Sequence, residues 1–428
     1  MIISRTGFKE NHKIQVIISV VLMLISMYVP YHRILSYIFQ ISVLVILLVL
    51  FRASSYAYIP ILLLTTTRSY IAVSTHNIFV EYLGLNSEIL SIYVLLALFL
   101  VLRKRKFKIS SDQGIISLII FAILMLFSKI WAVNTLEYNS HFMPICFIYI
   151  CFPLFVESED DIIAIKYGFV LSGLFGALGI IPHMIIEGNI YQSAVSVDRN
   201  YQSCFFLICL LQTVTLMLNK FIKLKVHQIV ICWLIIFMDI YIIISSASRS
   251  GFLSLVIAGG TYLLLNLKRF KKSLSTIILT VIGLIYLNEL EVFNYVLSRF
   301  DLSNAQTGNG REQIWQSYLI GFSHGNIFNI IFGHGLVGQT LIGRAAHNIF
   351  ISVLYSFGIV GIVLLLLVLF HCIYQLVKTN NSVELISLIP ILFICCTIEP
   401  YYRIEFAVYL SFLVGSVYLY KRRLYYEQ

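Results

Sequence analysis

The chain has 428 residues, 59% of them hydrophobic and only 12% charged, with 30 Lys and Arg against 20 Asp and Glu. A globular chain carries about 25% charged residues. At a mean hydropathy of +0.91 the apolar surface is too large for a water-soluble fold and suits a bilayer.

Unbroken apolar runs such as residues 359–370 exclude the alternation of a β-barrel, which leaves helices as the spanning element. The expected fold is an all-α integral membrane protein, a polytopic bundle of about 12–14 transmembrane helices forming a single domain over 1–428. The candidate spans in chain order are 14–31, 33–51, 55–76, 88–102, 114–132, 141–156, 162–186, 201–219, 227–246, 251–267, 273–292, 346–376, 383–399 and 404–420. The polar N-terminus leads into a first span read as retained rather than as a cleaved signal. The eight cysteines fall in apolar stretches without metal or disulfide spacing and read as small buried residues.

Charge gives the orientation. With a cytoplasmic N-terminus, the clusters Arg103–Lys106, Lys268–Lys272, Lys378 and Lys421–Arg423 all fall on one side, as the positive-inside rule asks. The C-terminus is then cytoplasmic too. The net excess of cations is topogenic and calls for no nucleic acid. The opposite, periplasmic face carries a long loop over 293–345, and loops of that length are functional or disordered. This one is not low-complexity, and its stretch Asn326–Gly335 is apolar enough to lie on the membrane surface.

Four arginines fall on that face: Arg199, Arg249, Arg311 and Arg344. Arginine at a membrane boundary is unfavourable unless paired or solvated, and topogenic charge does not explain it there. Each taken singly fits interfacial snorkelling. Converging in space, they would suit a phosphate or pyrophosphate. Trp315, four residues after Arg311, would face the membrane interface while Arg311 faces a cavity. His347 and Asn348 open a span. A neutral imidazole there can accept a hydroxyl proton, and Asn348 can cap the helix or orient a sugar hydroxyl. The alternative for both is a polar helix start. His334, between two glycines, is a lesser candidate base. No zinc pattern, P-loop or nucleophile elbow occurs, and no metal or cofactor is expected.

The order of these pieces resembles the bacterial O-antigen ligase/polymerase family. The resemblance rests on Asp198-Arg199-Asn200-Tyr201, on Ser246-Ala247-Ser248-Arg249-Ser250-Gly251, and on a block over 310–361. That block runs from Gly310-Arg311-Glu312-Gln313-Ile314-Trp315 through Gly333-His334-Gly335 and His347-Asn348-Ile349-Phe350 to Gly358-Ile359-Val360-Gly361. It covers roughly residues 190–370. The resemblance implies a membrane glycosyltransferase of the C-type fold in the bacterial inner membrane, inverting and metal-independent. Such an enzyme moves a glycan from undecaprenyl pyrophosphate to an acceptor hydroxyl at the periplasmic face. It implies His347 as general base and Arg199, Arg249 and Arg311 on the pyrophosphate. Arg344 is assigned to the substrate only by its nearness to His347; Asn348 and Trp315 complete the expected substrate set.

Within the family a polymerase extends a lipid-linked chain, and a ligase transfers the chain to lipid A-core. The span count and the short segment between Trp315 and His347 favour the polymerase. The expected partners are the undecaprenyl-pyrophosphate-linked oligosaccharide, membrane lipids and a chain-length regulator protein. A lipid-linked oligosaccharide flippase is the competing class, but it would show two related halves and charges near the midplane.

Overall fold

The structure is a computed structural model that describes residues 112–132, 138–186, 198–219, 224–265, 310–336 and 342–427. The expected spans 14–31, 33–51, 55–76, 88–102 and 273–292 lie outside the described residues, as does the start of the 293–345 loop. What is described is all helix and turn. The helices are α1 (Gln113–Phe127), α2 (Tyr138–Cys151), α3 (Glu159–Ile186), α4 (Arg199–Leu218), α5 (Val226–Ser245) and α6 (Arg249–Leu265). They continue with α7 (Arg311–Ser323), α8 (Ile327–Phe332), α9 (Ile349–Lys378), α10 (Ser382–Cys395) and α11 (Ile404–Glu427).

Six of the expected spans are helices long and apolar enough to cross a membrane: Gln113–Ile130, Glu159–Ile181, Arg199–Leu218, Val226–Ser245, Ile349–Lys378 and Ile404–Arg423. The chain is thus a multi-pass, all-α membrane protein. Three expected spans form shorter apolar helices, at Ile145–Leu154, Arg249–Leu265 and Ser382–Cys395. The causes are local. Pro153 sits in the 3₁₀ turn that ends α2. The 383–399 stretch leaves helical geometry after Cys396 and enters a second 3₁₀ turn at Pro400–Tyr402.

Burial is inverted relative to a soluble protein. On α9 the exposed side chains Ile359, Val363, Leu367, Phe370, Tyr374 and Val377 recur every three or four residues, one stripe of a helix. On α1, Ile116, Ile120, Ile123 and Phe127 do the same. These stripes suit contact with lipid. α4 is the enclosed helix, buried at every position from Gln202 to Thr213 and packed by α3, α5, α6 and α10.

Helix starts follow ordinary capping. Asp112 accepts from the Gly114 and Ile115 amides at 3.0 and 3.4 Å. Ser158 and Asp161 cap α3 reciprocally, Ser158 N to Asp161 Oδ2 at 2.9 Å and Asp161 N to Ser158 Oγ at 3.2 Å. Of the cysteines, Cys151 is half-buried and Cys396 exposed; the other six are buried, as expected, and all are free thiols.

One irregularity shapes an entire end of the bundle. α9 is broken at Gly358, whose backbone has φ 66° and ψ −164°. The carbonyls of Tyr355 and Ser356, which an unbroken helix would satisfy four residues on, instead accept from His334 N at 3.0 Å and Gly335 N at 2.9 Å. A Cβ on Gly358 would lie 2.3 Å from the Ile331 carbonyl, and one on Gly333 would lie 2.3 Å from the Ser356 carbonyl. Gly358→Ala is therefore expected to destabilise the fold by about 3 kcal/mol or more, combining positive-φ strain with a backbone clash. Gly259→Ala meets nothing within 4 Å in mid-α6 and should be neutral or gain about 0.5–1 kcal/mol. Thermal melts of the two purified variants check the contrast.

Candidate active site

Four helices begin at the end of the bundle that carries the glycine crossing. α4 starts at Arg199, α6 at Arg249 and α7 at Arg311, while α9 starts at Ile349, two residues after His347. Three arginines therefore stand at the first helical position, where the partial positive charge of a helix end makes a cation unfavourable and an anion favourable.

Small polar residues lock the first two starts together. Ser203 bonds Ser246 at 2.7 Å, and Ser248 Oγ donates to Asn200 Oδ1 at 2.8 Å. Ser248 Oγ also accepts from Gly251 N at 3.1 Å, capping α6. A Cβ on Gly251 would lie 2.7 Å from that of Ser203, so glycine sets how closely α4 and α6 approach. Ala247, between the two serines, has φ 51°. A left-handed backbone at a residue other than glycine is of order 1–3 kcal/mol unfavourable and persists only when the surroundings impose it. The serines of this motif hold the turn, and Arg249 is presented from it half-buried.

Arg311 comes within electrostatic range of Arg249 and Asp198. Burial lowers its pKa first and the Arg249 charge lowers it further, against the pull of Asp198. His347 is reached by the same groups. Burial depresses its pKa below 6.5, Arg311 adds to the depression, and Asp198 opposes it. Its Nδ1 is buried without a hydrogen-bond partner, and its φ is 50°. Burial and Arg311 thus favour the neutral imidazole, which sits in a strained turn.

The structure brings Arg249, Arg311 and His347 together and sets the Arg199 helix start beside them. It leaves the side chains of both Arg199 and Arg344 exposed. What Arg344 contributes is its carbonyl, which accepts from Tyr318 Oη at 2.7 Å. Asn348 is the α9 cap, accepting from Phe350 and Ile351 amides at 2.9 and 3.2 Å. Trp315 is half-buried, and its Nε1–H donates to the Ala346 carbonyl at 2.8 Å. It turns toward the His347 turn rather than away from it to a membrane interface. His334 stacks on Tyr355 at 4.3 Å and belongs to the glycine crossing.

Sequence reasoning missed Glu399. It is fully buried between α10 and α11. Burial raises its pKa from 4.5 to about 7, opposed by Ser352 and by the backbone amides of His347 and Ala346. These donors favour its charge, yet none closes a hydrogen bond of ordinary geometry on either oxygen. Beside it, Tyr402 bonds the Tyr201 hydroxyl, and Arg403 lies over the Tyr201 ring at 5.2 Å while pairing with Glu405 at 3.3 Å. In the sequence Glu399 looked like the end of a span. The signal available was an acid followed by proline on the face where counter-charges for the arginines are scarce.

Fold and site together define a polytopic helical membrane protein with a cationic, histidine-bearing centre at one end. Residues 232–366 match the family model described as O-antigen ligase, a segment that contains Arg249, Arg311, Trp315, Arg344, His347 and Asn348 and leaves out Arg199 and Glu399. Over that third of its length the chain is similar to the O-antigen ligase family, which points to a glycosyltransferase-like enzyme. No curated protein matches the chain.

The raised pKa of Glu399 fixes a stability prediction. Below 4.5 the acid is protonated whether folded or not. Between 4.5 and about 7 only the folded chain keeps the proton, so folding weakens as pH rises. Glu399→Gln mimics the neutral form. Its melting temperature should match wild type at pH 4.5 and exceed it by several degrees at pH 8, read in detergent across that range.

Proposed function

We propose that this protein is a polysaccharide polymerase that transfers a glycan from undecaprenyl pyrophosphate to a sugar hydroxyl of a second lipid-linked repeat unit, at the periplasmic face of the inner membrane. The observation that carries the reading is the juxtaposition of a neutral, half-buried imidazole with half-buried guanidiniums where helix N-termini converge.

The chemistry follows from the charges. The acceptor oxygen attacks the anomeric carbon, its proton passes to the His347 ring, and the bond from that carbon to the pyrophosphate oxygen breaks. Negative charge grows on the leaving pyrophosphate. Arg249 and Arg311, fixed at helix starts, stabilise it without rearrangement, with Arg199 reaching from the neighbouring helix. Attack opposite the leaving group inverts the anomeric centre, and charge neutralisation by guanidinium makes a metal dispensable. Arg344, exposed near the turn, would meet the acceptor rather than the pyrophosphate. A chain-length regulator protein would act on this centre from outside.

A ligase reading shares the same chemistry and differs only in the acceptor, and similarity to the family described as O-antigen ligase favours it. A gel of surface polysaccharide from a deletion strain separates the two. Core carrying a single repeat unit supports the polymerase; bare core with accumulated lipid-linked chains supports the ligase; an unchanged profile overturns both.

His347→Ala should lower transfer by about 10²–10⁴-fold, the usual contribution of a general base, at normal protein levels. Polymer formed at wild-type length and amount would remove His347 from the reaction. Arg249→Lys keeps the charge but loses the planar fork, and a loss of about 10²-fold in turnover is expected. In wild type the acid limb of the pH–turnover profile should lie below 6.5, the ordinary imidazole value, because burial and Arg311 both disfavour the imidazolium.

A further inference from the structure

Arg311, Trp315 and Tyr318 occupy positions i, i+4 and i+7 of α7, a single stripe of the helix. Each does something different with that stripe. Arg311 lies in the field of Arg249 and Asp198. Trp315 Nε1 holds the Ala346 carbonyl at 2.8 Å. Tyr318 Oη holds the Arg344 carbonyl at 2.7 Å, and its ring packs edge-on against Tyr355 of α9 at 4.9 Å. The two carbonyls lie just before His347, whose left-handed backbone must be imposed from outside. On the opposite side of α7, Gln316, Leu319 and Ile320 are exposed. The helix is thus gripped along one stripe only, and that stripe runs from the cationic centre to the turn bearing the imidazole.

We propose that α7 couples the two substrate sites: an anionic pyrophosphate engaging Arg311 fixes the helix, and Trp315 and Tyr318 pass that order to the 344–347 turn, so that His347 is set in place when the lipid-linked donor binds. Trp315 and Tyr318 are then positioning residues that touch no substrate, and the donor precedes the acceptor. This rests on the transferase reading above. The groups facing His347 are Arg311 from α7, Asp198 at the start of α4, and Glu399 from the α10–α11 connection, near its amide.

The test uses the full chain in nanodiscs, with undecaprenyl pyrophosphate as probe and hydrogen–deuterium exchange of the 343–348 amides as readout. In wild type the probe should slow exchange of this turn. In Trp315→Phe and Tyr318→Phe, which remove one hydrogen bond each and keep an aromatic ring at each position, the probe should bind within about threefold of wild type without slowing the turn, while turnover falls about tenfold or more, as misplacement of a catalytic group produces. The acid limb of the pH–turnover profile should move up toward 6.5 as the loosened imidazole is hydrated. Should the phenylalanine variants fail to fold, Arg311→Ala at saturating probe serves instead, and it should leave basal exchange of the turn unchanged and abolish the slowing.

Slowing that persists in these variants overturns the coupling, as does an acid limb that stays where wild type has it. Loss of probe binding together with a lowered melting temperature in the phenylalanine variants overturns it too, because it shows a merely structural role. If wild type binds the probe and its turn is not slowed, the coupling fails and the transferase reading stands. If wild type does not bind the probe at all, the donor assignment fails and the coupling with it.

Discussion

In apolar surroundings a carbonyl without a donor is unfavourable by several kcal/mol, and α9 presents two of them. Gly358 turns left-handed and releases the Tyr355 and Ser356 carbonyls from the helix. The amides of His334 and Gly335 take them up, which is possible only because Gly333 and Gly358 let two backbones meet without a Cβ between them. This exchange ties α8 to α9, and Leu336 N then bonds Ser128 Oγ at 3.2 Å at the end of α1. α7 precedes α8 through one short turn and packs on α9. The position of Arg311, and of the carbonyl grips around His347, therefore descends from a satisfied pair of backbone oxygens.

The cationic centre works against the fold that carries it. Arginine at the first position of a helix opposes the macrodipole by about 0.3–1 kcal/mol, and here three helices do so at one end. Burial and the nearby Arg249 charge lower the preference of Arg311 for its own charge. Asp198 opposes this, while Glu399 is held toward its neutral form by burial. A sequence selected for stability alone would place acids at those helix starts. An anionic ligand reverses the sign of each of these terms at once: the macrodipoles, the guanidinium repulsion and the depressed imidazole. Local rules broken together at one place are what a functional site looks like in a fold otherwise consistent with itself.

Much of this was legible in the chain. Apolar length located the helices of the described half because the bilayer enforces it, and Asn348 as a cap and the glycines as close approaches follow from residue type. The errors lie where the backbone departs from the helix without a change in hydropathy. Ala346 and His347 read as the start of a span, yet they form a turn in which His347 is left-handed and the Ala346 carbonyl is held by Trp315 of α7. Thr397 and Ile398 read as the end of one, yet they lead into the Glu399 turn. Convergence was not legible either: Arg249 and Arg311 are far apart in sequence, and only the packing of α6 and α7 against their neighbours relates them. Nor does sequence separate the exposed Arg199 and Arg344 from the half-buried Arg249 and Arg311.

The opposite end of the bundle supplies the contrast that gives the orphaned groups their meaning. There, Lys166 on α3 meets Glu384 on α10 at 2.6 Å and Thr215 on α4 at 3.0 Å, all buried. Asp112 caps α1 and receives Lys421 of α11 at 3.0 Å and His371 of α9 at 3.0 Å. Burial would raise its carboxyl, but these partners outweigh it and hold the pKa at about 2. Removing one member of such a pair leaves a buried charge alone, at about 3–5 kcal/mol, so these contacts fix the register of the helices. At the other end the Ser352 hydroxyl and the His347 and Ala346 amides reach Glu399 without ordinary hydrogen-bond geometry, and His347 Nδ1 is buried without a partner. Buried polar atoms without a partner also occur away from the arginines, both Asp239 oxygens on α5 and Glu384 Oε2 among them, so what sets this end apart is the guanidinium beside the imidazole.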